Sequence, residues 1–540
     1  MMLPNKLQGF TDKLFGMNWN KNNILILLFL SSFLAAIMFG ENIKAQWWVI
    51  DDHEIAYFLG SDHVLRGNEI VGNLLHNTEV AHYLHYPRFR PIYYTLRLLE
   101  SWAWGAKPSL WYAFRIFVFA LFVSFFWYLI SQKVGIVIGG FISLYMATQI
   151  YWVDIIGRLG PSENYAALGL AFFGLGVHII YKSNKIGGWW YVFIGTMICS
   201  GTKENFLFLI LPLGYIVWDF YKRRQLNFTR VALSFGACVW MIWIGFAIVV
   251  SAVAYGGDVY NNSTGITARL HILFKLFERI DVIVMLSICT LLLFSKQLFH
   301  INNPAILEYS KEVAAITLLL TLIFISQIFF YNGEWPAGTR YDFPGLLIWP
   351  IMFVVLLSFF QKITLIDGFT QFRTGLILLS TLGVFLLAFS QLNNIREIRI
   401  KNNQNVERTI SFSKKMEQLV GLGTQNPEYV IIIQTDNPVS DYEPVFSYFR
   451  FLRFYGVKNH ISFLWAGRKP EAYSNQFRAS LARDLHNLSY YGKEPFMVAG
   501  SVHDFVPFPE VENSHVGCIL VVISGEPGKN CPIVFTGNWR

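Results

Sequence analysis

Residues 24–54 read ILILLFLSSFLAAIMFG, then ENIKAQ, then WWVIDDHE, and that order decides the fold class. An apolar run gives way to a short polar stretch, two tryptophans and four titratable side chains. A bilayer core is crossed by roughly 20 apolar residues at about 1.5 Å rise each, and tryptophan favours the depth where hydrocarbon meets water. The stretch reads as a transmembrane helix leaving the membrane near Trp47 and Trp48, with Asp51 and Asp52 just outside. Lys6, Lys13 and Lys21 ahead of it give the segment the look of a signal peptide. Glu41, Asn42 and Lys44 follow where a small-residue cleavage site would stand, so an uncleaved first span is expected, with residues 1–23 cytoplasmic.

The rest of the chain repeats the theme. Of 540 residues, 54% are hydrophobic, 17% aromatic and only 14% charged, against about 25% charged in an ordinary soluble protein. Further apolar runs lie near 111–131, 134–152, 163–181, 188–201, 204–219, 231–254, 281–299, 312–331, 344–361 and 374–391. The expected fold is therefore a polytopic α-helical membrane protein of about eleven spans over residues 24–391. With the N-terminus inside, the short cytoplasmic loops hold Lys133; Lys182 and Lys185; Lys222, Arg223, Arg224 and Arg230; Lys296 and Lys311; and Lys362 and Arg373. The net charge of +8 is thus explained by topology, and no nucleic-acid partner is expected. The plasma (inner) membrane is the expected location.

An odd span count puts residues 392–540 outside the cytoplasm, periplasmic or extracellular. A polar helical stretch (393–420) is followed by a β-branched strand at 429–433, an aromatic helix at 444–455 and a strand at 518–523, which together predict a small extracytoplasmic α/β domain. In an oxidising compartment Cys518 and Cys531 either form a disulfide or remain two thiols. Cys199, Cys238 and Cys289 lie in apolar runs and read as small buried hydrophobes.

The loops facing outward carry the unusual polar residues: 41–109, 154–163, 202–204, 256–280 and 331–343. Asp51 and Asp52 are adjacent, so their side chains diverge on either a helix or a strand. One is expected to react while the other orients, caps or binds an ion, with His53 and Glu54 in support. A carboxylate with an ordinary pKa near 4 accepts a proton from a hydroxyl held within reach. The competing reading is a capping box, in which Asp51 and Glu54 start the helix at Ile55. Tyr86-Pro-Arg88-Phe-Arg90-Pro91 introduces an interfacial helix over Ile92–Trp104, and Arg88 and Arg90 suit either a phosphate or lipid head groups. Five of the twelve histidines (His53, His63, His76, His82, His85) fall in this segment without tight ligand spacing. Lys203 and Glu204 break two apolar half-spans, where a charge at mid-bilayer costs about 2.5 to 3.5 kcal/mol. They read as functional, or as a mutual ion pair. Arg340, in the run from Glu334 to Pro344, stands at the outer end of the next span, whose first turn suits Pro344.

The order of these features resembles the GT-C superfamily of membrane glycosyltransferases that use polyprenyl-phosphate sugars. The likeness rests on Asp51-Asp52 after the first span, the Arg90-Pro91-Ile-Tyr-Tyr94 helix start, Gly201-Thr-Lys203-Glu204 and Arg340-Tyr341-Asp-Phe-Pro344, and covers roughly residues 20–390. It implies that Asp51 is the catalytic base, that Asp52 occupies the place of a second acid, and that Lys203 and Arg340, with Tyr341, hold the lipid phosphate. Glu204 is a supporting residue. The second acid is commonly Glu, which leaves open whether Asp52 helps bind a divalent cation (Mg or Mn). The partners implied are a polyprenyl-phosphate sugar donor, a glycan, lipid or protein acceptor, and membrane lipid. A transporter or flippase of lipid-linked sugars shares the broken helices and intramembrane charges.

Overall fold

The computed structural model describes residues 21–84, 88–255, 271–272, 274–295, 297, 304–331, 335–366, 370–436, 441–465, 517–527 and 531–537. Lys6, Lys13, His85, Tyr86, Lys296 and Glu334, and the side chains of His82 and Arg373, lie outside the described residues. Among the described residues five helices are long and apolar enough to cross a membrane: Ile24–Lys44, Pro108–Val134, Glu163–Ser183, Phe228–Val250 and Ile306–Phe330. Two shorter apolar helices, Ile136–Ala147 and Ile280–Leu293, lie between them in sequence, and a third, Gly345–Phe360, follows the last. The chain is a helical membrane protein.

In chain order the helices are α1 (Lys21–Phe39), α2 (His53–Leu59), α3 (Ile70–His76), α4 (Pro91–Trp104), α5 (Pro108–Val134), α6 (Ile136–Ala147), α7 (Trp152–Ile156), α8 (Glu163–Ser183), α9 (Ile186–Thr202), α10 (Ile210–Lys222), α11 (Phe228–Tyr255), α12 (Ile280–Leu293), α13 (Pro304–Phe330), α14 (Ile348–Ile366), α15 (Thr370–Gln425) and α16 (Tyr442–Phe454). On α11, Phe235, Val239, Ile242, Phe246 and Val249 are all exposed. Their spacing of three or four puts them on one helix face, an apolar stripe suited to lipid.

Two details of this bundle position the site. Helices α8 and α9 cross almost backbone to backbone: a Cβ on Gly195 would come within 2.6 Å of the Gly169 carbonyl, and one on Gly176 as close to that of Gly188. Small residues permit such approach in membrane helix pairs. The antiparallel pair thereby brings the end of α9, at Thr202, beside the start of α8, at Glu163. There α9 stops: Lys203 is extended (φ −152°, ψ 134°), and the chain resumes as a 3-10 turn over Glu204–Leu209 before α10. The second detail concerns Pro344, which precedes a 3-10 turn at Gly345–Leu347, so α14 starts at Ile348, later than Pro344 in a first turn would give.

Helix α15 runs unbroken for 56 residues, about 84 Å at 1.5 Å per residue, through the boundary at 391 where sequence composition changes. Beyond it stands a four-stranded parallel sheet of β1 (Val430–Thr435), β2 (Ile461–Trp465), β3 (Cys518–Val522) and β4 (Ile533–Thr536), in the order β2-β1-β3-β4. Alternate residues serve two cores. Ile431, Ile433, Ile519 and Val521 face α15 and α16 in a cluster that also contains Trp47, Val49, Ile55 and Leu59, while Ile432, Leu520 and Val522 pack on the other face. Cys518 and Cys531 are joined as a disulfide. The sheet thus shares one apolar core with the segment that carries Asp51.

Candidate functional site

The segment from Trp47 to His63 is gripped from the sheet side. Phe454 of α16 stacks on the His63 ring at 4.1 Å and lies edge-on to Trp47 at 6.3 Å. The Phe454 carbonyl is 2.8 Å from His63 Nε2, and Ser447 bonds the Val49 carbonyl and, at 2.9 Å, His53 Nδ1. Burial, with Arg450 nearby, holds the His53 imidazole well below its ordinary pKa, so it is neutral at pH 7.

Asp51 and Asp52 part at the backbone. Asp51 has φ +68°, a left-handed conformation that Asp tolerates better than most residues, and this turns its carboxylate away from its neighbour's. Asp52 is fully buried. Its Oδ2 accepts the Trp48 N–H at 2.8 Å, while Oδ1 has no hydrogen-bond partner among the described residues. An ionised carboxyl there is poorly compensated, and burial pushes Asp52 up to about 7. It occupies the cap position of α2, so the Asp51–Glu54 capping box does not form. Glu54 instead accepts the Tyr94 hydroxyl at 3.3 Å, and burial raises its pKa.

The Asp51 carboxylate is one quarter exposed and meets two guanidiniums through Oδ2: Arg158 Nη2 at 3.1 Å and Arg340 Nη1 at 3.8 Å. Burial pushes this carboxyl up, but the Arg158 and Arg340 guanidiniums, with Arg97 behind them, outweigh it and hold it below its ordinary value. Arg340 Nε also lies 4.0 Å from Glu163 Oε1, which is paired with Lys203 Nζ. The Tyr341 ring lies under both cations, 4.5 Å from Lys203 Nζ and 5.4 Å from the Arg340 guanidinium carbon. Lys203 therefore pairs with Glu163, not with Glu204. In this group Arg158, Arg340 and Lys203 outnumber Asp51 and Glu163, a surplus of positive charge suited to a monoanion.

A buried shelf fixes the floor. The fully buried Arg97 and Arg115 both donate to the Leu159 carbonyl; Arg115 also reaches Pro161 O at 3.0 Å, and Tyr93 donates to Gly160 O at 3.0 Å. Arg97 extends a second contact of 3.4 Å to the Asp51 carbonyl. Asp51 lies directly on Gly160, where a Cβ would come within 2.1 Å of the Asp51 side chain. The Arg340 loop is equally fixed: Asp342 accepts the Ala337 and Gly338 N–H groups at 2.6 and 2.8 Å, and Trp335 Nε1 donates to Tyr341 O at 3.0 Å.

The other expected phosphate ligands, Arg88 and Arg90, each face a different carboxylate. Arg90 is held bidentately by Glu79 at 2.9 and 2.5 Å, and Arg88 lies 4.0 Å from Glu204. Sequence reading did not single out Arg158, Glu163, Gly160, Arg97 or Arg115, although 154–163 stood out as an outward polar loop. A divalent cation does not fit here. The accessible Asp51 oxygen already faces two arginines, Asp52 is turned inward, and among the described residues no three His, Cys, Asp or Glu side chains converge.

An apolar cavity of about 720 Å³ opens between α5, α8, α13 and α14, with Phe208, Leu209 and Pro344 in its wall. Pro344 follows the Arg340 turn, and Phe208 and Leu209 belong to the turn that Lys203 introduces. The wall continues along α5 and α8 to Lys133 and Lys182.

The chain matches no protein-family model and no curated protein.

Proposed function

We propose that the chain is an inverting glycosyltransferase that moves one sugar from a polyprenyl-phosphate donor to a hydroxyl of a glycan, lipid or protein at the outer face of the plasma (inner) membrane. The architecture of this reading is GT-C-like, with about eleven spans, a cytoplasmic N-terminus and the sheet unit outside as an α/β domain. The observation that carries it is a single accessible carboxylate, Asp51, beside the cations Arg158, Arg340 and Lys203, where the polypeptide leads into an apolar cavity of about 720 Å³. That combination suits a substrate with an anionic head and a long apolar tail.

In this mechanism the lipid phosphate lies against Arg340, Arg158 and Lys203, with the tail in the cavity. Asp51 takes the proton of the acceptor hydroxyl as its oxygen attacks the anomeric carbon from the face opposite the phosphate. The C–O bond to phosphate breaks, and the leaving polyprenyl phosphate keeps the electron pair, its charge met by preorganised cations. Asp51 then releases the proton to solvent. A carboxylate held below its ordinary pKa is ionised at pH 7, as a base must be. Detergent-purified protein should transfer label from a polyprenyl-phosphate sugar to an acceptor hydroxyl; absence of product across the polyprenyl-phosphate hexoses and pentoses would refute the reading.

One observation favours a transporter or flippase of lipid-linked sugars: the cavity wall reaches Lys133 and Lys182, at the far ends of α5 and α8 from the site. Product formation in detergent, where nothing can be transported, separates the two.

A further inference from the structure

Asp51, the group that must accept a proton, is already engaged by the cations that must accept the phosphate. Arg158 Nη2 and Arg340 Nη1 both converge on Asp51 Oδ2, at 3.1 and 3.8 Å. Neither guanidinium is sealed in place: the Arg158 side chain is 28% and that of Arg340 23% exposed, and the buried Arg158 Nε and Arg340 Nη1 have no hydrogen-bond partner among the described residues. Arg97, by contrast, is buried and fixed on backbone carbonyls. Asp51 is thus held by one immovable cation acting through its backbone and two exchangeable ones acting on its carboxylate.

We propose that Arg158 and Arg340 are exchangeable counter-ions: they neutralise Asp51 in the resting protein and swing to the lipid phosphate when the donor binds, so that Asp51 becomes a competent base only with donor present. The inference rests on the transferase reading and adds Arg158 as a residue shared between base and phosphate. A phosphodiester competes well for arginine because its oxygens accept paired guanidinium N–H groups. Once the arginines leave, the titratable neighbours of the carboxylate are His53, which is neutral, the backbone-bound Arg97, Tyr93 and the two buried carboxyls Glu54 and Asp52, both pushed up by burial. Its proton affinity rises at the moment an acceptor hydroxyl needs a base. Without donor the base stays masked.

The test is binding, measured without turnover. Farnesyl methyl phosphate, a diester with no ionisation near neutral pH, is titrated into detergent-purified full-length protein by calorimetry. If Asp51 competes with the phosphate for the arginines, Asp51→Asn should bind the probe about tenfold more tightly than wild type, a change of about 1.4 kcal/mol. Arg158→Gln should weaken binding in wild type, and in an Asp51→Asn background should remove most of the gain. Arg158→Lys, which keeps the charge, should restore part of it and controls for folding. Equal affinity of wild type and Asp51→Asn overturns the counter-ion exchange while leaving the transferase reading standing. Failure of both to bind contradicts the lipid-phosphate reading itself.

Discussion

Gly160→Ala replaces one hydrogen by a methyl group at the point where the Asp51 side chain rests. The added Cβ would sit 2.1 Å from Asp51 Cβ, Cγ and Oδ2, where ordinary contact begins near 3.4 Å. Asp51 must therefore retreat by more than 1 Å, because the floor cannot: Tyr93 holds the Gly160 carbonyl, and Arg97 and Arg115 hold those on either side. Gly160 does not have positive φ, so alanine fails there for space alone. Overpacking of this kind costs about 1 to 3 kcal/mol of stability. A misplacement of about 1 Å at the reacting group costs on the order of 100-fold in rate. Transfer from a polyprenyl-phosphate sugar, with the melting temperature recorded beside it, measures both. Gly214→Ala, where no atom of the described residues lies within 4 Å of the new methyl, should leave transfer unchanged. If Gly160→Ala transferred sugar within threefold of wild type, Asp51 would not act from the position described.

Asp52→Asn should keep transfer within a few-fold, because the amide oxygen still accepts the Trp48 N–H, and it should change the pH dependence of stability. A carboxyl pushed from 3.8 to about 7 by folding binds more protons folded than unfolded between those values, so wild-type stability falls as pH rises from about 4 to 7. The variant lacks that loss, and its melting temperature should exceed wild type at pH 8 and converge with it near pH 4; equal differences at both would contradict the buried-carboxyl assignment. Replacing Cys518 and Cys531 by serine opens a loop of sequence separation 13 and should cost about 3 kcal/mol. Because the sheet shares its core with Trp47, Val49 and Ile55, transfer in this variant should fail at a lower temperature than in wild type. Unchanged heat sensitivity of transfer would disconnect the sheet from the site.

What the sequence disclosed was local. Apolar runs marked the long helices, and the charges at Lys203 and Glu204 marked the break between α9 and α10, because a charge inside a bilayer is costly enough to be visible in one dimension. The divergence of Asp51 and Asp52 followed from adjacency, but which one turned outward depended on a left-handed φ at Asp51 that no spacing encodes. Arg158 lies 107 positions from Asp51, and a contact of that range leaves no trace in periodicity. Nothing in the sequence set Arg97 and Arg115 apart, yet both are buried and donate to carbonyls of the 159–161 turn. The change from apolar to polar composition near 391 suggested a domain boundary, whereas the backbone of α15 continues through it. Strands β2 (Ile461–Trp465) and β4 (Ile533–Thr536) were not singled out in the sequence, although β2 is as long as the recognised β3.

The central claim is that Asp51 is the base of an inverting transfer from a lipid phosphate. Its most direct test is to follow product formation and its anomeric configuration by NMR, with wild-type and Asp51→Asn protein and one polyprenyl-phosphate sugar. Wild type should give product of opposite configuration to the donor, and Asp51→Asn should give none while still binding the lipid phosphate. Product of retained configuration, or transfer by Asp51→Asn at a rate near wild type, would contradict it.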